Sequence, residues 1–381
     1  MNVLSSSRLR GFILATAILT LPLPALAASQ QIAATSHLLW LKQDGTVWAS
    51  GDQDDGARGD SREPEIRSKF EPIPGLKDVV QVAARDNQSA ALKADGTVWV
   101  WGMFDSMEPY DKPKPLPGLT DVKAIAAGAD FVVALKRDGT VWLAGSGGDN
   151  GLRTDNSSKP MAIAGLTNVV AVGATDWAAF AAKKDGSVWG WGNGFARLLG
   201  AKGKWSILDM GTAHHPKPLL VEGVSDVVAL SGGNAHMLAL TRDGKVWAWG
   251  DNEDGALGVR IIRGLGDTAY QLPARIEGLP KITAISAGYD FSLALDSEGK
   301  VWSSGGNTYG ALGVSGDVEE SRVAPKPVQG IDKAVSVHGG HYHGFAVLAD
   351  GKVLGWGSNQ PGFIQIVPKK PGEYLSPMPI E

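Results

Sequence analysis

The chain contains no cysteine, so disulfides, thiolate nucleophiles and cysteine-ligated metals are excluded at once. Beyond residue 27 it also lacks a long apolar run, and nothing there approaches the about 18 consecutive apolar residues of a membrane span. An excess of basic charge is missing too. With 36 Lys+Arg against 40 Asp+Glu, the formal net charge of -4 gives no footprint for general nucleic-acid binding. What is present is enough apolar material for a substantial core, 43% of 381 residues, which excludes wholesale disorder. The 50 glycines and 13 tryptophans point to many tight turns around an aromatic motif used repeatedly.

Residues 1–27 carry Arg8 and Arg10, no acid, an apolar run from Gly11 to Leu21, then Pro22, Pro24 and the triplet Ala25-Leu26-Ala27. This is the layout of a signal peptide, and the expected mature domain is 28–381. Removing two arginines from the 36 basic residues leaves 34 against 40 acids, a net of -6. Export to the periplasm or the exterior is therefore expected, without membrane insertion of the mature chain.

Seven turns recur: Asp44-Gly45, Asp95-Gly96, Asp138-Gly139, Asp185-Gly186, Asp243-Gly244, Glu298-Gly299 and Asp350-Gly351. Each is followed by Thr, Ser or Lys and then Val, and six continue with Trp48, Trp99, Trp142, Trp189, Trp247 or Trp302, the seventh with Leu354. A further glycine follows each turn glycine by six residues, and in six units another precedes it by 21 (Gly75 to Gly330). Four units also share a glycine 11 before the turn. The interval between units instead varies as 24, 16, 20, 31, 28 and 25 residues, so length variation is confined to one connection.

Within a unit the pattern is that of strands. Ala284–Gly288 is short and small, Phe291–Leu295 and Lys300–Ser304 alternate, and Pro325–Val328 has the proline of an edge strand. Asp-Gly joins the second strand to the third. Four strands in each of seven units predict an all-β, seven-bladed β-propeller of four-stranded antiparallel blades, the alternative being an open β-solenoid. Small residues such as Ala83, Ala84, Ala126 and Ala127 suit inner strands at a crowded axis, and the periodic tryptophans are read as blade core. The chain ends suit closure, Gln30–Ala34 as an inner strand and Pro377–Glu381 as an outer one.

The run Gly233-Asn234-Ala235-His236-Met237-Leu238-Ala239-Leu240, then Asp243-Gly244-Lys245-Val246-Trp247-Ala248-Trp249-Gly250, resembles the regulator-of-chromosome-condensation repeat. The resemblance extends over essentially the whole expected mature chain and implies the propeller fold. It implies less about activity, because one scaffold hosts unrelated functions. Nuclear members of that family exchange nucleotide on a small GTPase and bind nucleosomes, roles that an export leader and an acidic balance do not suit. The layout is also similar to the secreted propeller-type proteinaceous β-lactamase inhibitor, which presents the loops of one face to an enzyme. No partner-specific residue carries over from it.

In such blades the turn between strands one and two shares a face with the variable loop between strands three and four. The inner turns are Thr35-Ser36, Asp86-Asn87, Ala129-Asp130, Asp176-Trp177, Asn234-Ala235, Tyr289-Asp290 and His341-Tyr342. Asp86, Asp130, Asp176 and Asp290 would attract a basic element, and Trp177, Tyr289 and Tyr342 are types that anchor protein interfaces. The bland reading is that aspartate in a tight turn bonds its own backbone. Rim candidates are Phe104, Tyr110, Trp205, Tyr270 and Tyr309, aromatics on loops that need none for folding.

Chemistry finds little support. His338, His341 and His343 are the best metal candidates, but His343 holds a repeat position and His338 an inner strand, and His214-His215 on the long loop are no better. Asp52-Gln53-Asp54-Asp55-Gly56 lacks calcium-loop spacing and reads as a solvated acidic loop. No metal, cofactor or catalytic residue is therefore assigned. The expectation is an exported, monomeric, non-enzymatic propeller that binds a macromolecule, a protein and not nucleic acid, through its variable-loop face, as an inhibitor or envelope module. The alternative is a glycan-active or other hydrolytic enzyme with a carboxylate pair across the funnel.

Overall fold

The repeated Asp-Gly-Thr-Val-Trp segment folds as one hydrogen-bonded unit. Thr46 donates both its N–H (2.9 Å) and its hydroxyl (2.7 Å) to Asp44 Oδ1. Thr97, Thr140 and Ser187 do the same to Asp95, Asp138 and Asp185. The hydroxyl then accepts the indole N–H of Trp48 (3.1 Å), Trp142 (3.3 Å) or Trp189 (3.1 Å). Each turn glycine takes the left-handed region that glycine enters without steric cost, as at Gly45 (φ 77°) and Gly244 (φ 83°).

The computed structural model describes residues 30–60, 67–104, 109–146, 152–153, 158–193, 198–200, 214–259, 271–314, 321–358 and 376–380. They form seven four-stranded antiparallel sheets, each built from four consecutive strands. Numbered as blades 1 to 7, the sheets span 31–72, 79–115, 122–162, 169–220, 227–275, 282–327 and 334–379. Within each blade the strands run a to d from the axis outward. The predicted propeller is thus the observed fold, and it is closed: Ile32, Ala34 and Leu38 of blade 1 share an apolar cluster with Phe345, Val347 and Ile380 of blade 7. An open solenoid would leave those edges bare.

The core lies between blades. Phe131, Val133 and Leu135 of blade 3, for example, pack on Ala179, Ala181 and Trp191 of blade 4. The periodic tryptophans pack against this core as expected, but only at its margin: Trp48, Trp99, Trp142, Trp189, Trp247 and Trp302 are all half-buried. The reason is position along the strand and not the pleat: Trp99 and the fully buried Trp101 share one face, and Trp99 stands next to the hairpin, where the blade edge meets solvent. The fully buried indoles are instead Trp101, Trp191, Trp249 and Trp356, from the Trp-Gly that ends strand c. Three of these donate their N–H to the strand c–d loop of the preceding blade: Trp101 to Ala57 O (2.8 Å), Trp249 to Leu198 O (2.9 Å) and Trp356 to Ala311 O (2.9 Å).

At the axis small residues are obligatory, since a Cβ on Gly232 would lie 1.9 Å from the carbonyl of Ala174. On the hairpin face each turn glycine carbonyl accepts the N–H that opens the next inner strand. Val79 donates to Gly45 (3.0 Å), Val122 to Gly96 (3.1 Å), Val169 to Gly139 (3.0 Å), Val227 to Gly186 (3.4 Å), Ile282 to Gly244 (2.9 Å) and Ala334 to Gly299 (3.0 Å).

Candidate functional site

On the opposite face the inner turns are linked to one another. The N–H of Ala129 donates to Asp176 O (3.3 Å), that of Asp176 to Asn234 O (3.2 Å), that of Asn234 to Tyr289 O (3.0 Å) and that of Tyr289 to Gly340 O (3.0 Å). Between blades 1 and 2 the Thr35 hydroxyl replaces an amide and donates to Asp86 O (2.9 Å). Beneath this belt, histidines bind hydroxyls of the next blade, His37 Nε2 to Ser89 Oγ (2.6 Å) and His236 Nε2 to Ser292 Oγ (3.1 Å). The turns are therefore rigidly spaced around the funnel, and their side chains are presented on a fixed frame.

Of the predicted ring, Asp176 is buried and forms an ion pair with Arg85 across blade 3. Burial raises its carboxyl to about 6, with Arg85 pulling the other way. The charge of Arg85 also acts on Tyr289, His236 and His341 of blades 6, 5 and 7. Sequence reading missed this residue. Its signal was available: Arg85 stands 11 residues before Gly96, where four other units have glycine. Asp86 sits at φ 44°, accessible at the surface yet enclosed enough by the funnel wall that desolvation raises its pKa. Asp130 is half-buried in its turn, and its carbonyl accepts the N–H of Ser146 (2.9 Å).

Outside the ring, three inner turns meet the strand c–d loop of the preceding blade through their side chains. Between blades 1 and 2, Asn87 Nδ2 donates to Asp55 Oδ2 (2.9 Å). Between blades 6 and 7 the same joint is Tyr309 against Tyr342, edge to face at 5.3 Å. Between blades 5 and 6 it is Asp290 beside Asp254, and among the described residues Asp290 Oδ1 has no hydrogen-bond partner. Burial, and then Asp254, raise the Asp290 carboxyl to about 6. Tyr289 and Tyr342 both pack on His341, with centroids at 4.1 and 4.2 Å, and lie 6.2 Å from each other, so an aromatic arc runs Tyr289, His341, Tyr342, Tyr309 over blades 6 and 7. Tyr309 is 52% exposed and Trp177 42%.

Several expectations fail. Phe104 is 2% exposed and belongs to the core between blades 2 and 3, because its loop folds inward over the blade. Tyr110 is no free rim residue either: it opens strand d of blade 2, packs on two inter-blade clusters and carries Lys114 Nζ 4.0 Å above its ring. Trp205 and Tyr270 lie outside the described residues. The three C-terminal histidines do not converge: His341 stacks between tyrosines, His338 bonds Ser336 Oγ (3.1 Å) and His343 stacks on Phe345. Among the described residues no three His, Asp or Glu are placed to hold a metal. His214 and His215 begin strand d of blade 4 instead of lying in a loop.

The acidic loop is not simply solvated either. Gln53 is buried, and its Oε1 accepts the N–H of Arg58 (3.1 Å). Asn252 and Asn307 close the matching loops through Leu257 N–H (3.0 Å) and Leu312 N–H (3.1 Å). Among the described residues no helix is long and apolar enough to cross a membrane.

Comparison with known proteins agrees with this geometry. Residues 17–330 match the RCC1-like domain, and 333–362 match the regulator of chromosome condensation (RCC1) repeat. Human regulator of chromosome condensation is 31% identical over 159 residues, 40% of this chain and 36% of that protein. Bovine secretion-regulating guanine nucleotide exchange factor is 29% identical over 170 residues, 43% of this chain and 36% of that protein. The matches thus span about a third of each relative's length. Among solved structures, Saccharomyces cerevisiae Prp20p, described with its binding to Gsp1p and histones, has a TM-score of 0.71 at 24% identity, covering 82% of this chain and 80% of that one. Human WBSCR16 has a TM-score of 0.69 at 22% identity, covering 84% and 87%. Sheet topology, the repeated hairpin and a family match over most of its length together place this chain in the RCC1-like domain family.

Proposed function

We infer that this is an exported, monomeric and non-enzymatic propeller that binds a protein partner through the face carrying the inner turns and the variable loops. The observation that carries the reading is the aromatic arc of Tyr289, His341, Tyr342 and Tyr309, joined on that face by the exposed Trp177. Tyrosine and tryptophan supply large contact area at low entropy cost, and nothing in the blade core requires them there. The exposed Asp86 at the mouth favours a partner with a basic element, whereas Asp176 is already paired with Arg85. Prp20p, described as binding Gsp1p and histones, offers a precedent for a protein-binding propeller of this fold. Export rests on residues 1–27, with a basic start, an apolar run and Ala25-Leu26-Ala27.

The test uses the secreted protein as bait against envelope and supernatant proteins, with a Tyr309→Ala/Trp177→Ala variant in parallel. A partner captured by wild type and lost by the variant is the expected result. Equal capture by both would move the contact off this face. Fractionation and N-terminal sequencing check the leader; an intact Met1 in the cytosol would refute it.

A further inference from the structure

The six periodic tryptophans are not equivalent. In blades 1 to 4 the residue two before the turn aspartate is lysine, and its ammonium reaches the indole: Lys93 lies over Trp99 (5.2 Å), Lys136 over Trp142 (4.2 Å) and Lys183 over Trp189 (4.9 Å), while Lys42 sits on Trp40 (2.7 Å) and within 5.3 Å of Trp48. In blade 5 that position is Thr241, whose hydroxyl turns down onto Asp243 Oδ1 (2.6 Å). Among the described residues no cation lies over Trp247.

Among the described residues its indole N–H, like that of Trp99, also has no acceptor. Trp48, Trp142 and Trp189 donate to the Thr or Ser after the turn glycine, and Trp302 donates to Asp296 Oδ2 (2.9 Å). Blade 5 has Lys245 after its turn glycine and so offers no hydroxyl there. Two substitutions within one repeat have thus removed both the cover and the acceptor of a single tryptophan.

The consequence is a groove of about 580 Å³ on the hairpin face, with Trp247 in its lining together with three cations, Arg242, Lys245 and Arg275, and two carboxylates, Asp226 and Asp243. The matching groove of blade 4, about 430 Å³, has Lys183 in its lining and not Trp189. Arg242 is exposed and has no side-chain partner among the described residues. Lys245 and Arg275 are paired only at the surface, with Asp243 (2.7 Å) and Glu277 (2.6 Å). The exposed Lys245–Asp243 pair contributes little, so Lys245 can turn to a ligand, while Arg275, held by Glu277 through Nε and Nη2, keeps Nη1 for one. Guanidinium, ammonium and indole N–H are all donors, and the ring face beside them is flat and apolar.

We propose that the blade 5 groove is a binding site for a small planar aromatic anion, its ring stacked on Trp247 and its anionic oxygens held by Arg242, Arg275 and Lys245. The site lies on the face opposite the aromatic arc and is independent of the partner reading above. A polar anchor beside an aromatic floor, in a groove of this size, is the general form of a small-molecule site.

Calorimetric titration of phenyl phosphate into the full chain tests it, with inorganic phosphate as the ring-free probe. Saturable binding at one site is expected, with Kd on the order of 1 mM or tighter for so small a ligand. Inorganic phosphate should bind about tenfold more weakly. The double variant T241K/K245T rebuilds the blade 1 pattern, so it should weaken phenyl phosphate by about tenfold while leaving the melting temperature equal or higher. Arg242→Ala, at an exposed side chain, should weaken it several-fold without affecting folding. Absence of saturable heat, equal affinity for inorganic phosphate, or full affinity in either variant would overturn the assignment.

Discussion

Gln30 Nε2 donates to the carbonyl of Gly351 at 3.0 Å. This is the seventh joint of the hairpin face. At the other six the bond to the turn glycine comes from a backbone amide, but where the ring closes a side chain supplies it. The same amide accepts the indole N–H of Trp40 at 3.1 Å through Oε1, which fixes its orientation. Gln30→Ala should remove both bonds at the closure and lower stability by about 1 to 2 kcal/mol. Thermal melting checks it, and an unchanged melting temperature would mean that the closure rests on the apolar cluster alone.

Arg85 and Asp176 should behave as a coupled pair. Arg85→Ala leaves a carboxylate buried without its partner and should destabilise by about 3 kcal/mol. Adding Asp176→Asn should recover part of that loss, so a double-mutant cycle by denaturant unfolding would give a coupling term. Additive losses would show that the two side chains do not depend on each other.

The pH profile follows from two opposed groups. Burial lowers His37, His236 and His343 to about 3 and His338 and His341 to about 4, below the ordinary imidazole value. The unfolded chain therefore binds more protons than the folded one below pH 6.5, and stability falls as the pH drops through that range. Asp176 and Asp290, raised to about 6, act in the other direction, gaining stability as the pH falls from 6 towards 4. Melting temperatures from pH 7 to 4 should decline. Asp290→Asn should steepen the decline by removing one compensating group; a shallower slope in that variant would contradict the assignment.

Gly244→Val forces a β-branched residue to φ 83°, with its Cβ 2.6 Å from Lys281 Cγ. A loss of about 2 kcal/mol is expected by chemical denaturation, with binding per folded molecule on the opposite face unchanged.

Trp177→Ala and Tyr289→Ala each should cost on the order of 2 kcal/mol of partner affinity if they anchor the contact. Surface sensing against the captured protein measures this. Trp177, at 42% exposure, should leave the melting curve within about 0.5 kcal/mol of wild type, whereas wild-type affinity in both variants would make the inner turns structural only.

Blade number, strand order and the position of every hairpin were legible in the residues, because backbone geometry enforces them locally. A glycine at positive φ, an aspartate bonding two residues ahead and an alternation of period two each leave a mark at fixed spacing, and seven copies make the mark legible. That Trp177, Tyr289 and Tyr342 stand in turns on one face was legible for the same reason, since topology assigns a turn to a face. Side-chain fate between distant segments was not. Phe104 folds into the core, Asp176 meets Arg85 91 residues away, and Trp247 is uncovered by a substitution six residues earlier whose effect depends on what crosses its ring. These outcomes depend on packing and desolvation between neighbouring blades, which act only once the ring has closed, so only the tertiary structure decided them.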